Sequence, residues 1–139
     1  MLKMFLAGCV AILYFTGCAQ QPKPVQHVVE TVHIEGKRWQ LMSFGNHAMV
    51  VPQNAWMLLH NERYEGFAGC NGLGGSYEKD GKTIHFAMDP HTMLACPDIK
   101  GENEFRKRLL EVDAYDFEDG MLVLKRNGEK SLLFMEFEK

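Results

Sequence analysis

The residues of this chain best suited to chemistry are its cysteines and histidines. Cysteines stand at Cys9, Cys18, Cys70 and Cys96. Cys70 and Cys96 admit three readings: a structural disulfide, a pair of buried thiols, or a reactive pair. In an oxidising compartment two thiols tend to pair, and the disulfide is the favoured reading. A redox pair ordinarily shows Cys-x-x-Cys spacing, which is absent. Cys70, Cys96, His85 and His91 make a four-ligand set on paper, yet no closely spaced Cys or His pair supports zinc, so no metal is expected. His27, His33, His47 and His60 are scattered and read as surface or satisfied histidines.

Other chemistries find less support. Ser43, Ser76 and Ser131 lack the context of a nucleophile elbow. Asp89, Glu78 and Glu102 show no spacing that singles out a carboxylate pair. Gly81-Lys82-Thr83 resembles the end of a phosphate loop, but five residues separate Gly75 from Gly81 where that loop has four. The glycines from Gly69 to Gly75 read instead as places for positive φ and close backbone approach. No catalytic residue and no cofactor is expected.

The elements that would position these residues follow from composition and periodicity. At 139 residues, 46% hydrophobic, 24% charged and with net charge −3, the chain has room for one globular domain. No basic footprint marks a nucleic-acid partner. The N-terminus departs from this pattern. Lys3 is followed by an uncharged, mostly apolar run, Met4–Thr16, and then by Gly17-Cys18 and a polar, proline-containing stretch. Positive start, short apolar core and small residues at the cut describe a signal peptide over residues 1–17. The run falls short of the roughly 20 residues of a spanning helix, although an uncut anchor is the alternative. Phe15-Thr16-Gly17-Cys18 resembles a lipobox, with Phe15 where an aliphatic residue usually stands. Leu6-Ala7-Gly8-Cys9 fits the letters better but leaves too short an apolar core. Cys18 is therefore the expected lipidation site. Residues 18–35 form a tether, in which Val25–Ile34 is β-prone, and residues 36–139 form the domain.

Within the domain, turn signals alternate with short apolar runs. Asn61-Glu62, Asp80-Gly81, Asp119-Gly120 and Asn127-Gly128 separate candidate strands. These include Trp56–His60, Thr83–Met88, Ala114–Phe117, Met121–Arg126 and Lys130–Phe137. One segment differs: Phe105, Leu109 and Val112 have helical spacing, with i,i+4 pairs Glu102–Arg106 and Glu104–Arg108 and Asp98 as a candidate cap. The fold class is mainly β (α+β), an antiparallel barrel-like sheet with one packed helix over Asn103–Val112.

Several segments together resemble the META domain family, whose bacterial members are HslJ-type heat-shock lipoproteins. They are Trp39-Gln40-Leu41, Gly66-x-x-Gly69-Cys70-Asn71, Gly75-x-Tyr77, Thr92-Met93-x-Ala95-Cys96 and Glu104-Phe105-x-x-x-Leu109, ending in Leu122-x-Leu124 and Leu133-Phe134. The resemblance covers residues 36–137. His91-Thr92 departs from the two threonines the family often has before the Met. The resemblance implies a barrel-like fold with one helix, a periplasmic or outer-membrane site, and a role in heat or antibiotic stress. It implies no reaction. It is similar in fold to pilotin-type lipoproteins, which hold lipid or a peptide tail in a cracked barrel. An apolar groove under the helix, for an acyl chain or partner helix, is the resulting expectation. The methionines Met42, Met49, Met57, Met88, Met93, Met121 and Met135 suit either such a groove or core filling. The rival reading is a small enzyme or inhibitor acting on a cell-wall component, marked by a cleft of converging His and carboxylate side chains.

Overall fold

The computed structural model describes residues 33–91 and 93–137. Its elements in chain order are β1 (Arg38–Ser43), β2 (Trp56–His60), β3 (Arg63–Phe67), β4 (Gly72–Asp80), β5 (Thr83–Met88), α1 (Lys100–Glu111), β6 (Ala114–Glu118), β7 (Met121–Arg126) and β8 (Glu129–Glu136). Every strand pairs antiparallel with its sequence neighbour, and β8 returns to β1 to close a barrel. The mainly β class, with one helix among the described residues, is what the turn spacing and the helical stripe require.

Local chemistry explains the hairpins. Asn61 and Glu62, Asp119 and Gly120, and Asn127 and Gly128 all have positive φ. That is the backbone of two-residue turns whose twist matches the flanking strands. Between turns the side chains alternate. Trp39 and Leu41 of β1, Met57 and Leu59 of β2, and Ile84 and Phe86 of β5 point inward and are buried. Gly75 faces inward where a side chain would overlap the carbonyl oxygen of Ala87 on β5. At this point the two strands need glycine.

The barrel has one thin seam. β5 and β6 register at a single position, Thr83 with Ala114. The chain between them contains α1. Because β5 ends and β6 begins at the same end of the barrel, α1 lies across that end. Its register differs from the expected Asn103–Val112: it starts three residues earlier, at Lys100. The N-cap is Ile99, which makes no side-chain cap bond. Asp98 sits one residue further out, its carboxylate accepting from the Lys100 N–H at 3.4 Å. Gly101 hides this first turn from propensity reasoning, and its place reflects packing, since a Cβ there would come within 3.0 Å of Pro52 Cγ. The opposite end is closed by Ile34, 2% exposed, whose carbonyl accepts from the Trp39 indole N–H at 2.8 Å. Composition had placed Ile34 in the tether, but it belongs to the core. Glu35 forms an isolated parallel bridge to Leu59. The rest of the candidate strand, residues 25–32, lies outside the described residues, as do Cys18 and the signal segment.

The apolar groove expected beneath the helix is filled. Phe105 and Leu109 are fully buried and Val112 is 2% exposed. The Phe105 ring lies 5.9 Å from that of Phe134 on β8. An eight-stranded barrel is narrow enough for side chains to fill it. Here Trp39, Tyr64, Phe86, Phe105 and Phe134 do so, together with Met57. Truncating the plug should therefore be costly. Phe105→Ala is expected to lose about 3–5 kcal/mol in chemical denaturation. Leu110→Ala, on the solvent face of the same helix, should stay within about 0.5 kcal/mol of the parent.

Candidate functional site

The polar residues with the most built surroundings lie where the β3–β4 bend, the loop before α1 and the start of α1 meet. Gly69, with φ +123°, turns the chain so that the Cys70 and Asn71 N–H groups point the same way. Both donate to Glu102 Oε2, at 3.0 and 2.9 Å. The Asn71 amide donates to Glu102 Oε1 at 2.9 Å, and Arg106 Nε, one turn along the helix, donates to the same oxygen at 3.2 Å. The Asn71 side-chain oxygen accepts from the Leu94 N–H at 2.6 Å. Arg106 spends its remaining donors on the Gly72 carbonyl at 2.6 Å and on His91 Nε2 at 3.0 Å. It also lies 3.3 Å from Met88 Sδ. Since a guanidinium can only donate, His91 Nε2 accepts, and its Nδ1 donates to the Asp89 carbonyl at 2.8 Å.

Glu102, Asn71 and Arg106 are all buried, so this is a charged pair inside a fold. Burial pushes the Glu102 carboxyl upward, but the donors from Asn71, Cys70 and Arg106 outweigh it and hold the group below its ordinary 4.5. Helical spacing pairs Glu102 with Arg106 but says nothing of their depth. The partner of Glu102 across the fold, Asn71, is 31 residues away and carries no local signal beyond its place after Gly69-Cys70. Glu104–Arg108, the second expected pair, forms at 2.5 Å.

The structure brings Cys70 and Cys96 together, sulfur against sulfur, with Cα atoms 6.5 Å apart, inside the span of a disulfide. The paper metal set does not assemble: His85 Nδ1 lies 3.2 Å from the Val112 carbonyl and His91 is held by Arg106 and Asp89. Among the described residues no cluster of three His, Cys, Asp or Glu is arranged for a metal. Ser131 is buried in β8, and Ser43 and Ser76 lie in β1 and β4. Tyr64 has a buried hydroxyl with no partner. Burial, aided by the Asp89 carboxylate, pushes it up to about 12, which keeps it protonated and unfit as a base.

Open clefts lie outside the barrel. One, of about 240 Å³, runs between the outer face of α1 and the β7–β8 hairpin, with His47, Glu104, Lys107, Arg126 and Glu129 in its wall. It has the His-and-carboxylate composition of the rival reading. However, Glu104 is paired with Arg108, and Glu111 with Arg126 at 2.7 Å. Another, of about 290 Å³, lies at the start of α1 between Val50, Pro52, Gly69 and Asp98.

Two stability predictions follow from the bend. Glu102→Gln should cost about 3–5 kcal/mol, because it leaves Arg106 buried without its counter-charge. The folded protein holds the Glu102 proton more weakly than the unfolded chain. The stabilisation from its ionised form is thus complete above 4.5 and is lost as pH falls through the lower folded value. Asp116, held near pH 2 chiefly by the Lys82 ammonium, shares this acid limb. The measurement is therefore the difference between parent and Glu102→Gln in denaturation series from neutral pH to pH 3: the gap should shrink as the solution becomes acidic. Cys70→Ala and Cys96→Ala should each lose about 3–4 kcal/mol, as loop closure predicts for their separation of 26 residues. The double variant should lose no more than either, and full thiol labelling of the oxidised, denatured parent would contradict the bond.

Comparison with known proteins agrees with this architecture. Two solved structures share the fold. A DUF4847 family protein from Bacteroides vulgatus is 14% identical with a TM-score of 0.58, over 76% of this chain and 96% of its own. A protein from Burkholderia xenovorans, solved by NMR, is 22% identical with a TM-score of 0.60, over 76% of this chain and 85% of its own. At these identities the likeness concerns the fold alone. No curated protein gives a significant match. The META domain model matches residues 32–139, a span that contains the Gly69-Cys70-Asn71 bend, the Glu102 network and every strand of the barrel, and the chain belongs to the META domain family.

Proposed function

We propose that this chain is an envelope lipoprotein of the HslJ type. Cys18 carries the lipid, the domain faces the periplasm from the outer membrane, and it supports tolerance of heat and antibiotic stress by binding rather than by catalysis. The observation that carries the non-catalytic reading is how the reactive groups are employed. Cys70 and Cys96 face each other, Glu102 and Arg106 are saturated by hydrogen bonds, and the orphan Tyr64 hydroxyl is held protonated. With the barrel filled, a protein partner or apolar ligand must be met on the outer surface. Ala19, in place of Asp after the lipidated Cys, favours outer-membrane sorting as in lipoproteins generally. Several acyl chains, each adding about 0.8 kcal/mol per buried CH₂, make the attachment durable.

A second reading, a small enzyme or inhibitor acting on a cell-wall component, is favoured by the charged cleft around His47 and Glu129. One set of strains separates the two. Cys18→Ser should block processing, leaving an uncut, unacylated precursor; a variant that is still cut and still membrane-bound like the parent would point to Cys9 or a plain signal peptide instead. Cys18→Ser should also fail to restore growth of a deletion strain under heat or antibiotic challenge, while His47→Ala restores it fully. If the purified domain turns over peptidoglycan and His47→Ala abolishes that turnover, the enzymatic reading replaces the binding one.

A further inference from the structure

Outward positions of a water-exposed antiparallel wall are normally polar. β4, β5 and β6 obey the rule: Ser76, Glu78, Thr83, His85, Asp116 and Glu118 stand on their outer faces. The wall formed by β8, β1, β2 and β3 breaks it in part, with apolar side chains outward among Arg38, His60, Arg63 and Glu65. Register aligns Met135, Gln40, Trp56 and Phe67 in one row across four strands. Phe137, whose N–H donates to the Arg38 carbonyl, lies beside Arg38 and Leu58 in the next row. Met42 extends the patch along β1. Met42, Met135 and Phe137 are 45%, 47% and 44% exposed. Gln40, Asn54, Trp56 and Phe137 enclose a shallow dimple of about 80 Å³. Contiguous exposed apolar surface of this kind marks an interaction face.

We propose that this wall lies against the phospholipid bilayer that holds the anchor. The proposal rests on the reading of Cys18 as the lipidated residue. The chain itself supplies the argument for a bilayer. Residues 19–32 separate Cys18 from the first described residue. At about 3.3–3.6 Å per residue they reach at most about 50 Å, while a strand of β1's length spans about 20 Å. The root of the tether, Ile34–Gly36, leads directly into β1, the strand at the centre of the patch. The wall is thereby kept within constant reach of an apolar phase, at the high effective concentration that tethering confers. Its side chains suit an interface. The Arg38 guanidinium stacks over the Trp56 ring at 4.1 Å, and Lys37 neutralises Glu136 at 2.7 Å. An amphipathic aromatic beside a long cation is the arrangement favoured at the headgroup level.

The two tryptophans give a direct readout, because Trp39 is buried and Trp56 stands on the wall. The mature chain, residues 19–139 with an N-terminal histidine tag, would be held on phosphatidylethanolamine–phosphatidylglycerol vesicles by a chelating lipid, so that docking is tested without acylation. Acylation of Cys18 is read separately, from the mass of the N-terminal peptide of the cellular protein. With brominated acyl chains, the Trp56 share of the emission should be quenched. Trp56→Phe, which leaves Trp39 alone, should show no quenching. Met135→Glu/Phe137→Glu, with unchanged near-ultraviolet circular dichroism, should lose it. An unquenched parent on the vesicles overturns the proposal. So does a dimer in sedimentation velocity that shields Trp56 from iodide, which would make the occupant a second copy. Shielding that vanishes when residues 19–32 are replaced by a Gly/Ser linker overturns it in favour of the chain's own tether.

Discussion

The carboxylate of Glu102 is the point on which the architecture turns. A charge buried among apolar groups is tolerated only when its lone pairs are occupied. This one is filled by two backbone N–H groups, an amide and a guanidinium. Those four donors come from two separate parts of the chain, the bend at Cys70–Asn71 and the helix itself. Satisfying the charge therefore fixes the bend, the start of α1 and, through Asn71 and Leu94, the loop between them. The Cys70–Cys96 contact constrains the same loop from the other side. Hydrogen bonds set its geometry, and the covalent link limits how far the chain strays when the network opens.

A second constraint follows from closure at both ends. Ile34 fills one mouth of the barrel and Phe105, Leu109 and Val112 fill the other, so the interior is spent on stability. Recognition is left to the outside. There charged and small polar groups stand outward on β4, β5 and β6, while on β8, β1, β2 and β3 aromatic and thioether groups share the outer face with Arg38, His60, Arg63 and Glu65. Among the described residues no helix is long and apolar enough to cross a membrane.

Much of this was legible in the sequence because the signals are local. Asn-Gly, Asp-Gly and Asn-Glu pairs give their turns by backbone preference alone, and the bounds of Trp56–His60, Thr83–Met88 and Met121–Arg126 follow within the alternating runs between them. Phe105, Leu109 and Val112 report their burial through spacing. The first turn of α1 was missed because Gly101 is set by its neighbour Pro52, and a neighbour 49 residues away in the chain leaves no periodic trace. Glu102–Arg106 was legible as a pair but its burial was not, since i,i+4 spacing says nothing about depth. The apolar groove was expected from the likeness to lipid-holding lipoproteins, and the methionine content fitted either that or core filling because it does not say which way each side chain faces. Met57 turned inward, while Met42 and Met135 turned out.

The pairing of β1 with β8 sets the order in which the fold can be completed. Every other strand pairing joins consecutive strands, β5 and β6 with α1 between them, and can form as soon as the second strand is available. Trp39 and Glu136, by contrast, stand at opposite extremes of the domain, and bringing them together carries the largest loop-closure cost of any pair in the sheet. During synthesis β1 emerges first and β8 last. Until the final strand arrives, β1 has an unpaired edge as well as an apolar outer face, the combination most prone to stray association. A nascent chain of this topology thus depends for longest on whatever shields its earliest strand.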